Sequence, residues 1–409
     1  MREEDYSAHL LLRPLADDQP GPSKISVVKA MRDGRRRRSR RWWAGGSAVV
    51  AAVATASAGG VLATQRPPRP VLPPDPPLPA ACAVGQLPIG EHHSAEQPAG
   101  EPSGTWLAAA TEPPTDASVP GGRDASGRRP DAKNSLLVWR DGVLVADVPA
   151  PGVSFSVSGV NSSGAVAGNA KMTTPYVYRD GAFHKLAGGA GRAAAINDAG
   201  AVAGMLGATG PDQRPVRWPS AGADPVTLPV PAGAIPDLVT VTGIAEDGSV
   251  IGAIANFGYL WSPDGTGRYL TAPPEGDGTR SAAPRVDASP PLGTAFTPMV
   301  FRNGWIYGSR GALSYSTLRY HPETGTWQRL SDQWMGPQLG DRYPLGDPDP
   351  RVLVGRAVLD LPLPSGGRPG RDRYFASTVS DDASVIAGKV EGAPGDTSTP
   401  TQPIIWRCR

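Results

Sequence analysis

The chain repeats itself, and this constrains its fold more than any other feature. Residues 160–168, 196–204, 244–252 and 379–388 share one pattern: an apolar residue, a turn of Asn, Asp, Ser or Gly, then an alternating apolar run that ends in glycine. The fourth copy carries one extra residue, and 301–308 is a looser fifth. Each reads as strand, tight turn, strand. A second signature follows each copy, an apolar pair with Trp or Tyr and then another turn, at 176–186, 215–228, 259–270, 318–330 and 404–409. An earlier copy of it lies at 136–148, and its first half is Gly104 to Ala110 across a loop of about 25 residues.

Two hairpins per unit make a four-stranded antiparallel sheet. Six such units fit between residues 82 and 409. The expected fold is therefore all-β, a β-propeller of about six four-stranded blades. Five or seven blades and a two-sheet sandwich are the alternatives. In the turns, Asn161 and Asn197 supply short polar side chains that tolerate left-handed dihedrals, and Gly164, Gly200 and Gly248 supply positive φ. A ring of Asn161, Asn197, Asp247 and Asp382 around a central channel is the candidate cation or sugar set; ordinary turn chemistry is the other account.

The segment 196–204, followed by its aromatic strand and turn, resembles the extracellular HAF repeats of bacterial surface proteins. The resemblance covers about residues 130–409. It implies hairpins arranged in propeller-like arrays outside the cell, and it implies no catalytic residues.

The N-terminal part differs. Residues 42–64 carry no charge, and 23 helical residues span roughly 35 Å, enough for a bilayer core. Arg35, Arg36, Arg37, Arg38, Arg40 and Arg41 precede this stretch, whereas only Arg66 and Arg69 follow before residue 82. The asymmetry predicts one transmembrane helix with a cytosolic N-terminus, anchored at the interface by Trp42 and Trp43. A cleaved signal peptide, a twin-arginine signal at Ser39 to Trp42 and a lipoprotein cysteine at Cys82 are the rival readings, but 41 preceding residues are long for a signal, and a proline tract rather than an apolar run precedes Cys82. Residues 65–79 hold eight prolines and read as a polyproline spacer within a stalk, 65–81. The tail, 1–41, is disordered or carries a short amphipathic helix starting at Ser23, with Ile25, Val28 and Met31 on one face. Anionic lipid or a cytosolic regulator would stabilise it.

Net charge is near +2, with 11 basic and 6 acidic residues in 1–43, so no global basic field points to nucleic acid. Two cysteines remain. Cys82 opens the outer region, 82–409, and Cys408 is the penultimate residue. A propeller commonly joins its terminal strands in one blade, and the compartment is oxidising, so a Cys82–Cys408 disulfide is expected. No nucleophile elbow, P-loop or dinucleotide fingerprint occurs. The cluster Glu91, His92, His93, Glu96 lacks zinc-ligand spacing. No catalytic residue, metal or cofactor is assigned. The leading expectation is a cell-membrane protein displaying a sensor or binding module toward a protein or glycan ligand. An anti-sigma-like regulator using residues 1–41 and an envelope glycan-acting enzyme are the alternatives.

Overall fold

The computed structural model describes residues 72–111, 134–152, 154–207, 210–271, 295–310, 316–331, 350–365, 372–392 and 400–409. The tail 1–41, the stretch 42–64 and the start of the proline tract, 65–71, lie outside these residues. Among the described residues, no helix is long and apolar enough to cross a membrane.

Strand β1 (Cys82–Gln86) comes first but belongs to the last sheet. Sheet I is β2 (Ala99–Gly100), β3 (Trp106–Ala110), β4 (Ser135–Arg140) and β5 (Val143–Pro149). Sheet II is β6 (Phe155–Val160), β7 (Val166–Ala170), β8 (Thr174–Arg179) and β9 (Ala182–Lys185). Sheet III is β10 (Gly191–Ile196), β11 (Val202–Leu206), β12 (Arg214–Trp218) and β13 (Val226–Thr227). Sheet IV is β14 (Val239–Ile244), β15 (Val250–Ile254), β16 (Phe257–Trp261) and β17 (Gly267–Tyr269). Sheet V is β18 (Phe296–Arg302), β19 (Trp305–Arg310), β20 (Ser316–His321) and β21 (Thr326–Ser331). A hairpin, β22 (Arg351–Val354) with β23 (Ala357–Asp360), follows. Sheet VI is β24 (Asp372–Val379), β25 (Val385–Gly392) and β26 (Gln402–Cys408), completed by β1. Apart from β1, the strands within each sheet pair antiparallel in chain order.

The molecule is thus all-β and propeller-like, but less regular than the repeats predict. A parallel pair, Phe257 with Phe296, fuses sheets IV and V into one eight-stranded sheet. The hairpin β22–β23 carries neither repeat signature.

The alternating run in each repeat has a packing cause. Side chains along a strand point to opposite faces, and here both faces are covered. Val166 packs with Phe155 and Leu136 toward sheet I, while Ala167 packs with Trp218 toward sheet III. Val202 and Ala203, Val250 and Ile251, and Ile386 and Ala387 divide in the same way between neighbouring clusters. Burying each Val or Ile fully contributes about 1.5–3 kcal/mol. Leu107 and Ala108 play this part in sheet I, which makes Trp106–Ala110 the missing first half inferred from sequence.

The terminal glycine of the repeat is required by close backbone approach. Gly168, Gly204, Gly252, Gly308 and Gly388 each pair with an inner-strand residue at a register shift: Val157, Ala193, Val241, Pro298 and Ala376. A Cβ on Gly204 would lie 2.0 Å from the Arg192 carbonyl oxygen, and one on Gly252 would lie 1.9 Å from that of Thr240. The bulge leaves no room for a side chain.

The aromatic signature fixes the third strands. Leu107, Val166, Val202, Val250, Ile306 and Ile386 stand opposite Trp139, Tyr178, Trp218, Trp261, Tyr320 and Trp406. Four indoles donate to a carbonyl in the connection from the preceding element: Trp139 to Pro88 (2.7 Å), Trp218 to Ala187 (2.8 Å), Trp261 to Pro229 (2.7 Å) and Trp406 to Pro362 (2.8 Å). Each tryptophan therefore fills the core while its indole N–H pairs with a linker carbonyl.

Cys82 stands opposite Cys408 in the β1–β26 ladder, and the two form a disulfide. Ala387 and Ile405 of sheet VI share a cluster with Leu107 and Trp139 of sheet I, so the ends of the strand series touch.

Candidate functional site

A cavity of about 1380 Å³ runs along the inner strands β6, β10, β14 and β18. Its wall includes Ser158 from β6, Arg192 and Ala194 from β10, Thr240 and Thr242 from β14, and Thr297 and Met299 from β18. Small and hydroxyl-bearing side chains keep the space open, while Val239 and Val241 point into the core between sheets III and IV. Turn residues Asp198, Glu246, Asp247 and Asp381 line it as well, with Arg302 at the end of β18.

These turns form a relay between sheets. Asn161 accepts from the Ala165 amide (2.9 Å) and donates to the Asn197 carbonyl (3.0 Å). Asn197 accepts from Ala201 (2.9 Å) and donates to Ala245 (3.0 Å). Beside them, the Ser162 amide donates to Asp198 (2.8 Å) and the Asp198 amide to Glu246 (2.9 Å). Burial pushes the Glu246 carboxyl up; the Asp198 amide opposes this, and the charges of Asp198 and Asp247 add to it.

The proposed ring of Asn161, Asn197, Asp247 and Asp382 does not exist as one set. Ala245 and Ser380 take the asparagine position in their turns. Asp247 and Asp382 sit two residues later and bind their own loops: Asp247 accepts from Ser249, and Asp382 from Ser380 and Ser384. Burial pushes Asp382 up, but those hydrogen bonds together outweigh it and hold its carboxyl below the usual range. Both carboxylates serve the geometry of their own turns.

Sequence reasoning missed a charged cluster where sheets V, VI and I meet. Arg302 occupies the asparagine position of the looser fifth copy. It is buried, donates to the Val379 carbonyl, and lies 3.3 Å from Asp381. The Asp381 amide in turn donates to the Pro102 carbonyl (2.7 Å). Glu101 holds the same turn position in sheet I; it is buried and accepts from the amides of Ser103 (2.6 Å) and Thr105 (2.7 Å). Burial lowers the Arg302 pKa and raises that of Asp381, each partly opposed by the other's charge. The signal available in the sequence was the arginine itself, standing where other copies have Asn, Ala or Ser.

Of the His/acid cluster, His92 lies 2.9 Å from Asp147, and the His93 carbonyl accepts from Gln402. Among the described residues, no group of three or more His, Cys, Asp or Glu has the geometry to hold a metal. The arginines 35–38, 40 and 41 and Trp42 and Trp43 lie outside the described residues.

No protein-family model and no curated protein matches the chain. Solved structures give distant similarity. YCF48 bound to a D1 peptide is 11% identical, with a TM-score of 0.44 over 82% of this chain and 100% of that one. An oligogalacturonate lyase from Vibrio parahaemolyticus is 11% identical, with a TM-score of 0.47 over 79% and 93%. TolB from Acinetobacter baumannii is 8% identical, with a TM-score of 0.34 over 68% and 60%. Likeness at this level carries nothing about ligand or reaction.

Proposed function

We propose that the chain is a single-pass membrane protein whose residues 82–409 form a six-bladed ring outside the cell and bind an extended ligand, a peptide or glycan segment, in the cavity along the inner strands. The observation that carries this is the cavity itself. At about 1380 Å³ it exceeds the roughly 300–1,000 Å³ of a small-molecule site. Its walls offer hydroxyls and small apolar surfaces along the strands, with carboxylates on the turns. That lining suits a polymer recognised by several weak polar contacts. Support for the outer location comes from the arginine block before residues 42–64, from the HAF-like repeats and from the cysteine pair.

The test is capture of glycans and peptides from arrays by the intact protein, beside Thr240→Trp and Met299→Trp. Both substitutions fill the cavity from exposed or half-buried positions on its wall. Ligands bound by the wild type and lost by both folded variants support the reading. Ligands retained by both overturn it.

A further inference from the structure

The proline tract reads from sequence as a free spacer, yet from Leu72 it lies against the domain. Leu72 packs on the cluster that holds Trp305, Tyr307 and Val352. Asp75 reaches further in: one carboxylate oxygen is 2.5 Å from Nη2 of Arg319, and the other is 2.8 Å from Nε of Arg356. The Arg319 side chain is only 3% exposed. It lies 4.2 Å from the Trp305 ring centroid and donates to Gln328 at 2.7 and 2.5 Å. These neighbours orient the guanidinium, and the carboxylate that pairs with it comes from a segment 244 residues earlier in the chain. The seat is also shaped for that segment. Gly355 opens the β22–β23 turn at φ +60°, and a Cβ there would lie 2.6 Å from the Asp75 Cβ.

We infer that this seat is a binding site for an extended proline-rich peptide bearing one carboxylate, filled in cis by residues 72–77 and exchangeable with the same chemistry in trans. Two features argue for recognition beyond charge compensation. Pro73-Pro74-Asp75-Pro76-Pro77 is preset in an extended form, so little conformational entropy is lost on docking. The site also combines a buried, stacked arginine with a glycine turn that accommodates the peptide's backbone, the two parts that such a ligand needs. The seat adjoins the cavity: a Cβ on Gly304 would lie 3.9 Å from Pro73 and 3.6 Å from the His321 ring, and Gly304 and His321 also line the cavity. The inference stands without the cavity having a ligand.

The experiment uses the full chain in three forms: wild type, Asp75→Asn, and a form with residues 72–77 replaced by alternating Gly and Ser. Each is titrated with a fluorescein-labelled peptide of residues 72–79, followed by anisotropy. The expected order of affinity is replaced strap tightest, Asp75→Asn intermediate and wild type weakest. About tenfold is expected to separate the replaced-strap form from the wild type. A peptide with Asn in place of the aspartate binds the replaced-strap form about tenfold more weakly, because the charge that pairs with Arg319 and Arg356 is lost. Equal affinity across the three forms, or an Asn peptide that binds as well as the Asp peptide, overturns the inference. If the replaced-strap form does not fold, Asp75→Asn against wild type decides in the same way.

Discussion

Single residues carry the repeat, and they divide by what surrounds them. Gly204 and Gly200 lie four residues apart, but only Gly204 faces a carbonyl at 2.0 Å; Gly200 has φ +78° and open space around it. Gly204→Ala should cost more than about 3 kcal/mol, because the β10–β11 bulge must open, and Gly200→Ala about 1 kcal/mol from left-handed backbone strain alone. Urea unfolding of the two variants checks the contrast. The turn carboxylates differ in sign. Asp382 is held below its ordinary pKa, so its contribution to stability is present above the unfolded-state value, near 4, and lost as pH falls through the folded value. Asp382→Asn should therefore destabilise at pH 7 and approach the wild type near pH 2. Glu246 is held above its ordinary value, so its favourable protonated form is lost as pH rises. Glu246→Gln should be neutral or stabilising at pH 7, with the gain vanishing in acid. Chemical denaturation across pH reads both, and equal pH slopes for the two variants would contradict the assignment.

At the scale of elements, what was legible in the sequence was whatever recurred. The turn, the alternating second strand and the aromatic third strand recur because each solves a local problem: a five-residue connection, two buried faces and a linker carbonyl that takes the indole N–H. Trp218→Phe keeps most of the apolar area but strands the Ala187 carbonyl; it should cost about 1–3 kcal/mol, and Trp218→Ala about 3–5 kcal/mol. What did not recur was not legible. The hairpin β22–β23 buries Val352, Leu353 and Val354 in the largest cluster, yet it carries neither of the two recurring signatures. The docking of residues 72–80 was hidden for another reason. A polyproline segment looks the same whether free or seated, and its partner Arg319 is distant in sequence and buried, which one-letter sequence does not distinguish from an exposed arginine. The cavity's chemistry was not legible. Asn161 and Asn197 serve the turns, while Glu101, Arg302 and Asp381 meet only through contacts between sheets.

For the whole molecule, the decisive feature is that the first strand and the last share a sheet. β1 adds the fourth strand to sheet VI, and the disulfide ties it there across a separation of 326 residues. In the chain-entropy view, a loop of that length stabilises the fold by at most about 6 kcal/mol. A Cys82→Ser, Cys408→Ser double variant should lower the unfolding midpoint without changing the folded spectrum. The β1–β26 ladder and the packing of sheet VI on sheet I do not depend on sulfur. The bond fits the proposed extracytoplasmic location, since disulfides form and persist mainly in oxidising compartments. The most direct measurement is a non-reducing peptide map of the protein taken from the cells that make it, alkylated at harvest. A single cross-linked species joining the peptides of Cys82 and Cys408 is the result expected for terminal strands sharing a sheet outside the cytosol. Two alkylated, unlinked thiols would contradict that account.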